Sequence, residues 1–175
     1  MTAEVQMRRT AAVLVILVFS YSTGFAQEST IRNFLRVNTD FCTAGQPDME
    51  ELSQLKDQGI RSVLNLRPQA EYDATEEEAG VEQLGMKYFN IPIVGGDVRD
   101  EQVDLFLRLG DDEANRPMFI HCASANRVGA LWLVRRVLRD GWTMADAETE
   151  AAKVGLRSAG LKAFALGYIE AHQNR

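Results

Sequence analysis

The sequence predicts a single α/β domain of three layers, in which helices cover both faces of a central, mostly parallel sheet. Short apolar segments alternate with amphipathic helical segments, which is the pattern of parallel strands joined by helical crossovers. The chain has 175 residues, of which 46% are hydrophobic, enough for one core and too few for two. No internal repeat or low-complexity segment divides it. These observations favour one domain over several.

The first 26 residues have the pattern of a signal peptide. Two arginines precede an apolar stretch that ends in the small-x-small sequence Gly24-Phe25-Ala26. The uninterrupted apolar part, residues 11–19, is shorter than the roughly 20 residues of a spanning helix. We therefore expect cleavage after Ala26 and a domain over residues 27–175 that is exported to the periplasm, with no membrane contact after cleavage. An uncleaved membrane anchor is the alternative.

The ends of the predicted elements carry residues typical of strand and helix boundaries. Asp48 is placed to cap the first helix, and Gly59 to end it. Arg67-Pro68 ends a buried strand because the residue before a proline disfavours helical angles. The acidic run Glu76-Glu77-Glu78 predicts a solvated helix face. We predict strands at residues 41–44, 60–66, 86–91 and 118–121, a loop at 92–99, and helices at 48–58, 71–84, 100–113, 128–139, 143–154 and 159–172.

Charge and composition restrict the partners. The formal net charge of −6 argues against nucleic acid or an anionic membrane surface as a general partner, because neither attracts an acidic protein. Two histidines and two cysteines offer no zinc-ligand spacing, so we predict no metal, and no nucleotide or other cofactor motif is present. Any anion site must therefore be local.

The segment FIHCASANRVGALWL, residues 119–133, contains such a local site. An apolar strand stops at His121-Cys122, and a helix resumes after Arg127. We call residues 122–127 the Cys-loop. Ligands of parallel sheets bind where strand ends meet helix N-termini, and here backbone N–H groups, the helix dipole and the arginine fork would hold an anion. The same field favours a thiolate at Cys122, which would be a nucleophile in contact with that anion. The anion-binding residues are predicted to be Ala123, Ser124, Ala125, Asn126 and Arg127.

These residues also carry a family resemblance. His121-Cys122, a short loop and Arg127 resemble the signature of the cysteine-dependent protein tyrosine and dual-specificity phosphatases. From GQP at residues 45–47, through NLRP at 65–68, to the Cys-loop, the chain resembles the phosphatase-like domain of beta-lactamase hydrolase-like proteins. The resemblance spans about residues 34–156, with a C-terminal helix after it. It implies hydrolysis of small phosphorylated substrates through a phosphocysteine, with Cys122 as nucleophile, Arg127 as oxyanion clamp and His121 as support for the loop and the thiolate.

Two features of the Cys-loop keep other functions open. Four residues separate Cys122 from Arg127, whereas five are usual in these phosphatases, and Val128 stands where they commonly have serine or threonine. The four-residue interval is similar to that of rhodanese-like sulfurtransferases, in which Cys122 would carry a persulfide. A non-catalytic anion-binding module is the third possibility. We rank the phosphatase first.

Three further residues are candidates for the site. Asp97, in the glycine-containing loop PIVGGDVR, is the candidate general acid, with Asp100 second; the alternatives are an ordinary loop aspartate and a helix cap. Arg67 follows a strand end and is either a second cation of the pocket or a surface residue. Cys42 could form a structural disulfide with Cys122 in an oxidising compartment. Because the resemblance places the GQP turn near the Cys-loop, Cys42 could instead be a reversible redox partner of Cys122.

Overall fold

A computed structural model of the chain describes residues 29–173, so the predicted signal peptide lies outside the described residues. Five strands form one sheet in the order β1-β2-β5-β3-β4. The strands are β1 (Leu35–Arg36), β2 (Phe41–Ala44), β3 (Ser62–Asn65), β4 (Lys87–Asn90) and β5 (Met118–His121). β5 lies at the centre, parallel to both β2 and β3, and β4 is parallel to β3. β1 runs antiparallel to β2 at the edge and was not predicted, since two residues leave no periodic signal.

Six α-helices and two short 3₁₀ turns complete the described part of the chain. They are α1 (Met49–Asp57), α2 (Ala74–Gln83), α3 (Asp100–Asp111), α4 (Asn126–Leu138), α5 (Met144–Val154) and α6 (Ala159–His172), with 3₁₀ turns at Gln69–Glu71 and Glu113–Asn115. Asp48 caps α1 as predicted, and it accepts a hydrogen bond from the Glu51 N–H at 2.8 Å. The helix predicted from residue 71 begins only at Ala74, because Asp73 caps it. No helix within residues 29–173 is long and apolar enough to cross a membrane.

The sheet separates two apolar cores, which confirms the predicted three layers. Side chains alternate along β5, where Met118 and Ile120 enter the larger core and Phe119 enters the smaller one. Helices α3, α4, α5 and α6 supply the larger core, and α1 and α2 supply the smaller. Ten of the thirteen residues of α4 are buried, since it lies on the sheet and is covered in turn by α5 and α6. The central strand and the most buried helix therefore fix both ends of the Cys-loop.

The carboxyl ends of the three central parallel strands meet at one edge of the sheet. The Cys-loop follows β5, the GQP turn follows β2, and the NLRP segment follows β3. Backbone hydrogen bonds join these connections: Leu66 N–H donates to the His121 carbonyl at 2.9 Å, and Gln46 N–H to the Ala123 carbonyl at 3.4 Å. The three motifs that carry the family resemblance are therefore brought together by parallel strand pairing.

Candidate active site

The Cys-loop turns its carbonyl groups away from its centre. The Ala123 carbonyl accepts from Gln46 N–H at 3.4 Å, and the Ser124 carbonyl accepts from the Asn33 side chain at 3.1 Å. Ala125 is fully buried and has a φ of +64°, the left-handed region that non-glycine residues seldom adopt. This one residue reverses the chain so that α4 can begin at Asn126.

The backbone N–H groups of the loop are left free for a ligand. Within the described residues, no acceptor pairs with the N–H groups of residues 123–128. The first turn of a helix leaves its N–H groups unpaired, and here the preceding loop adds its own. The positive end of the α4 dipole lies at the same point. These unpaired donors make the loop a candidate anion cradle, and buried Cys122 lies at its beginning.

Arg127 is held in place on several sides. Its Nη1 donates to the Ile93 carbonyl at 2.7 Å and to Glu71 Oε1 at 3.1 Å, while its Nη2 donates to Glu71 Oε2 at 2.7 Å. Only 7% of the residue is exposed. Burial acts to lower the pKa of Arg127, but the hydrogen bond with Glu71 and the charge of Cys122 outweigh it, and the pKa is raised. The guanidinium is thus a fixed cation beside the cysteine.

Glu71 is a site residue that the sequence analysis missed. It lies in the 3₁₀ turn at Gln69–Glu71, and its carboxylate forms a two-pronged ion pair with Arg127. The hydrogen bond from Arg127 is the main cause that lowers the pKa of Glu71, and Arg67 adds to the effect. Its position four residues after Arg67 is a spacing that allows an ion pair, and this was the available signal. The prediction missed it because it placed Glu71 at the start of a helix.

Arg67 lies beside the site and is already paired. Its Nη1 donates to Gln46 Oε1 at 2.5 Å, its Nη2 donates to the Glu71 carbonyl, and its Nε lies 3.5 Å from Glu71 Oε2. The guanidinium also stacks over the Tyr72 ring at 4.9 Å. Arg67 therefore adds positive charge next to Arg127, with most of its donors directed at protein groups.

His121 belongs to a buried polar network on the face of the sheet opposite Cys122. Its Nε2 lies 2.9 Å from Glu77 Oε1, and its ring stacks on Phe119. Glu77 also accepts from Asn65 Nδ2 at 2.8 Å and from Gln46 Nε2 at 2.7 Å. The other ring nitrogen, Nδ1, is buried with no partner among residues 29–173. The carboxylate of Glu77 thus fixes the ring of His121, the residue directly before Cys122.

The prediction that Glu76-Glu77-Glu78 forms a solvated face is wrong for its central residue. Glu77 is 6% exposed, whereas its two neighbours are exposed. Burial acts to raise the pKa of Glu77, but hydrogen bonds from His121, Gln46 and Asn65 overcome it, and the pKa is lowered. Glu77 lies four residues before buried Val81, on the same helix face, and that spacing was the signal for burial.

The structure does not bring Cys42 to Cys122. Both are free, buried thiols. Cys42 faces the smaller core and Cys122 the larger one, so the side chains lie on opposite faces of the sheet. Cys42 pairs with Phe119, three residues before Cys122, so their Cα atoms are about 11 Å apart, beyond the roughly 7 Å limit of a disulfide. Neither a structural disulfide nor a redox pair fits, and burial raises the pKa of the Cys42 thiol to about 12.

Asp97 is exposed in a tight turn of the loop that follows β4. Its N–H donates to the Val94 carbonyl at 3.0 Å, and Gly95 allows the turn with a φ of +57°. The same loop reaches the Cys-loop through Ile93, whose carbonyl binds Arg127. Asp100 is not a helix cap: it occupies the first turn of α3, and Arg99 is the capping position. The role of Asp97 stays a prediction.

The opposite side of the Cys-loop rests on the turn between α5 and α6. Asn126 Oδ1 accepts from the Arg157 N–H at 2.9 Å and from the Ser158 N–H at 3.1 Å. Gly155, at a φ of +140°, approaches so closely that a Cβ there would lie 2.9 Å from the Ala125 methyl. The loop is therefore enclosed from both sides.

The chain matches a known protein family over most of its length. A family model described as a DSP-PTPase phosphatase fused to NAD+ kinase matches residues 23–162. The chain belongs to this family. The resemblance to cysteine-dependent phosphatases predicted from the HC–R, GQP and NLRP motifs is thus confirmed.

Curated relatives match a smaller part of the chain. A beta-lactamase hydrolase-like protein of Agrobacterium fabrum is 30% identical over 108 residues, which is 59% of this chain and 25% of that protein. Its counterpart in Xylella fastidiosa is 30% identical over 122 residues, or 66% of this chain and 27% of that protein. The chain therefore spans about a quarter of the length of these relatives.

Solved structures share the fold across nearly their whole length. A candidate phosphatase (DUF442) from Shewanella putrefaciens has a TM-score of 0.69 at 25% identity and covers 82% of this chain and 95% of that one. The catalytic core of the PP-IP phosphatase Siw14 of S. cerevisiae, in complex with citrate, has a TM-score of 0.69 at 23% identity, covering 82% and 94%. P. aeruginosa TpbA, in complex with phosphotyrosine, has a TM-score of 0.64 at 19% identity, covering 82% and 91%. The family member described here has the phosphatase-like fold of these proteins.

Proposed function

We propose that this protein is a cysteine-dependent phosphatase that hydrolyses phosphate monoesters through a phosphocysteine intermediate. The observation that carries the proposal is the free thiol of Cys122 at the start of a cradle of unpaired N–H groups that ends at Arg127. Family membership and the shared fold support the reaction class.

The cradle would bind the phosphoryl oxygens. Three of them can accept from the N–H groups of residues 123–128, which are oriented before the substrate arrives. Both hydrogens of Arg127 Nη1 and one of Nη2 are used by Ile93 and Glu71, while Nε and the second Nη2 hydrogen donate to no oxygen among the described residues. The proposed clamp therefore uses the Nε and Nη2 side of the fork, and Glu71 keeps the guanidinium from turning away.

The chemistry would proceed in two steps. The Cys122 thiolate attacks phosphorus, the bond from phosphorus to the ester oxygen breaks, and the leaving oxygen takes a proton, for which Asp97 is the proposed donor. Water then attacks the phosphocysteine, releasing inorganic phosphate and restoring the thiolate. Val128 is fully buried and provides no hydroxyl to assist the departing sulfur. We therefore expect the second step to be slow and phosphocysteine to accumulate.

The test compares two reactions of purified residues 27–175. One assay follows phosphate release from p-nitrophenyl phosphate, and the other follows thiocyanate formation from thiosulfate and cyanide. We expect phosphate release that C122S abolishes and D97N reduces; D100N tests the second candidate acid, and D57N, at the exposed end of α1, is the matched control. A burst of nitrophenol equal to the enzyme concentration would identify the slow second step.

Other results would overturn the proposal. Thiocyanate formation without phosphate release would indicate a sulfurtransferase. Neither product from the reduced protein would indicate an anion-binding module. If D97N keeps the activity of D57N, Asp97 is rejected as the general acid, and the assignment of Cys122 as nucleophile is unaffected.

We also propose that the protein acts outside the cytoplasm after cleavage behind Ala26. The arginines at positions 8 and 9 and the apolar stretch after them support this. Expression of the full chain with a C-terminal tag, followed by fractionation and N-terminal sequencing, tests it. We expect a periplasmic product that begins at Gln27, and a cytoplasmic product that begins at Met1 would refute it.

A further inference from the structure

The two ends of the Cys-loop are each held by a carboxylate. At the first end, Glu77 Oε1 lies 2.9 Å from His121 Nε2, directly before the cysteine. At the second, Glu71 binds Arg127 through two contacts of 2.7 and 3.1 Å. The two carboxylates belong to different elements, since Glu71 lies in the 3₁₀ turn and Glu77 in α2. Both ends of the loop can be held at once only if the distance between the Glu71 and Glu77 carboxylates is fixed.

Gln46 lies between the two pairs: it contacts Glu77 of the first pair directly and reaches Glu71 of the second through Arg67. Its Nε2 donates to Glu77 Oε2 at 2.7 Å, and its Oε1 accepts from Arg67 Nη1 at 2.5 Å. Arg67 in turn lies against Glu71. A continuous polar chain therefore runs around the loop through His121, Glu77, Gln46, Arg67, Glu71 and Arg127.

This position requires a side chain that both donates and accepts, as the amide of Gln46 does. A carboxylate neighbour can only accept hydrogen bonds and a guanidinium can only donate them, so the residue between them must donate on one side and accept on the other. The two neighbours also fix the amide orientation, because a flipped amide would set oxygen against oxygen and N–H against N–H. Glutamate would repel Glu77, and methionine would contact neither charge.

The backbone of Gln46 contacts the Cys-loop as well. Its N–H donates to the Ala123 carbonyl at 3.4 Å. The preceding Gly45 permits this approach, because a Cβ there would lie 3.1 Å from the same carbonyl. Gln46 is half-buried in a turn held at fixed distance from the loop.

We infer that Gln46 is a positioning residue, which couples the carboxylate behind His121 to the carboxylate that holds Arg127 and so sets the reactivity of Cys122. The inference rests on the proposed function for its kinetic consequence. Its effect on the thiol itself is independent of which reaction the protein catalyses.

The charged and titratable groups around this amide come from every element packed against it. They are Glu76 and Glu77 on α2, Asp73 at its cap, Asp48 at the cap of α1, Glu71 and Arg67 after β3, His121 on β5, Arg127 on α4, and the hydrogen-bonded pair Tyr72 and Tyr88. Burial raises the pKa of both tyrosines, so they stay neutral in the assay range. In Q46E the new carboxylate meets Glu77. One proton shared by the pair leaves a single negative charge spread over both carboxylates, so Glu77 no longer presents a full charge to His121.

The first experiment measures the rate of Cys122 carboxymethylation by iodoacetate between pH 5 and 9, with unfolding temperature as a check of fold. For Q46E we expect the midpoint of the profile to move up by about one pH unit, and the rate at pH 6 to fall roughly tenfold. We expect kcat for p-nitrophenyl phosphate to fall roughly ten- to a hundredfold with a smaller change in KM, as for the loss of one charged hydrogen bond. A wild-type profile and kcat in Q46E would overturn the inference.

A matched control makes the same substitution elsewhere. Gln58 is exposed and also accepts from an arginine, with Arg36 Nη2 at 2.9 Å, but it lies at the end of α1, away from the Cys-loop. We expect Q58E to keep the wild-type profile. An equal change in Q58E and Q46E would overturn the inference, since it would show a general effect of added charge.

The double variant Q46E/E77Q tests whether Gln46 positions the groups around Cys122 or only packs favourably against residue 77. It restores one amide and one carboxylate at their contact but reverses their order, so His121 then faces an amide. We expect the unfolding temperature to recover and the alkylation profile to stay displaced. Recovery of both would overturn the inference, because it would leave Gln46 only a packing role.

The design also separates this inference from the proposed function. If the wild type releases no phosphate, a displaced alkylation profile in Q46E still supports Gln46, and only the phosphatase proposal fails. If Q46E does not fold, Q46M takes its place: a reduced alkylation rate at pH 6 supports the inference, and the wild-type rate overturns it.

Discussion

Replacing Glu77 by alanine removes a buried carboxylate that three side chains use as their acceptor. His121, Asn65 and Gln46 donate to it at 2.9, 2.8 and 2.7 Å. The residue is 6% exposed, so solvent does not substitute for the lost oxygens. Each donor would be left in a poorly hydrated site, which is the costly way to break a buried polar network.

The size of the effect follows from this burial. Removing one partner of a buried charged pair costs about 3–5 kcal/mol of the free energy of unfolding. A domain of this size loses roughly 3 °C of unfolding temperature per kcal/mol, so E77A is expected to melt roughly 10–15 °C below the wild type. E78A removes an exposed carboxylate one residue later and should change stability by only about 0.5 kcal/mol.

The difference should also depend on pH in a defined direction. Burial acts to raise the pKa of Glu77, hydrogen bonds from its donors prevail, and the folded pKa lies below the usual 4.5. Its stabilising effect is therefore fully present above about pH 4.5 and is lost as the pH falls through the folded pKa. Urea unfolding of wild type, E77A and E78A at pH 7 and pH 3.5 measures this. Equal unfolding free energies for E77A and E78A at pH 7 would refute the burial argument.

Three further predictions concern the loop and the thiols. G155A should lower the free energy of unfolding by roughly 1–3 kcal/mol and reduce kcat, because its Cβ would lie 2.9 Å from the methyl group of Ala125 in the Cys-loop. The control G59A is also at positive φ but has no atom within 4 Å, so it should lose roughly 1 kcal/mol of unfolding free energy and keep the wild-type kcat. Equal kcat values for the two variants would contradict this. R127K should lower kcat/KM by at least roughly a hundredfold, because a lysine ammonium cannot replace the paired N–H donors of the guanidinium. Steady-state kinetics at constant ionic strength measure this, and a wild-type kcat/KM for R127K would contradict it. Iodoacetamide at pH 7.5 should label Cys122 and leave Cys42 unmodified until the protein is denatured, because burial raises the pKa of Cys42 to about 12; mass spectrometry that finds Cys42 labelled in the native protein would contradict this.

Most elements could be predicted because their signals are local. The alternation of apolar and helical segments gave four of the five strands and all six helices of the described part, with ends set by residues such as Asp48 and Pro68. The largest error was the start of α2. Asp73 competes with earlier positions as the cap, and its side chain wins by binding two N–H groups. Capping geometry of this kind depends on side-chain orientation, which spacing alone does not specify.

The catalytic candidates and their supports differ in how they could be found. Cys122 and Arg127 stand out because six consecutive residues interrupt a buried strand and helix. Glu77 acts on that loop through His121, 44 positions away, and Glu71 acts through Arg127, 56 positions away, so little in the local sequence distinguishes them from surface carboxylates. The buried spacing of Glu77 to Val81 was a weak signal, and the acidic run around it pointed the other way.

The sequence by itself determined the fold class, the family and the position of the candidate anion site, because strand alternation, the strand-to-helix break and the motif order are properties of neighbouring residues. The tertiary structure alone decided which charges meet. Parallel pairing of β2, β5 and β3 brings the GQP, Cys-loop and NLRP segments to one edge, and the two-sided sheet places Cys42 and Cys122 on opposite faces. Distances across a sheet depend on register and side-chain direction, and these are fixed only when the whole chain packs.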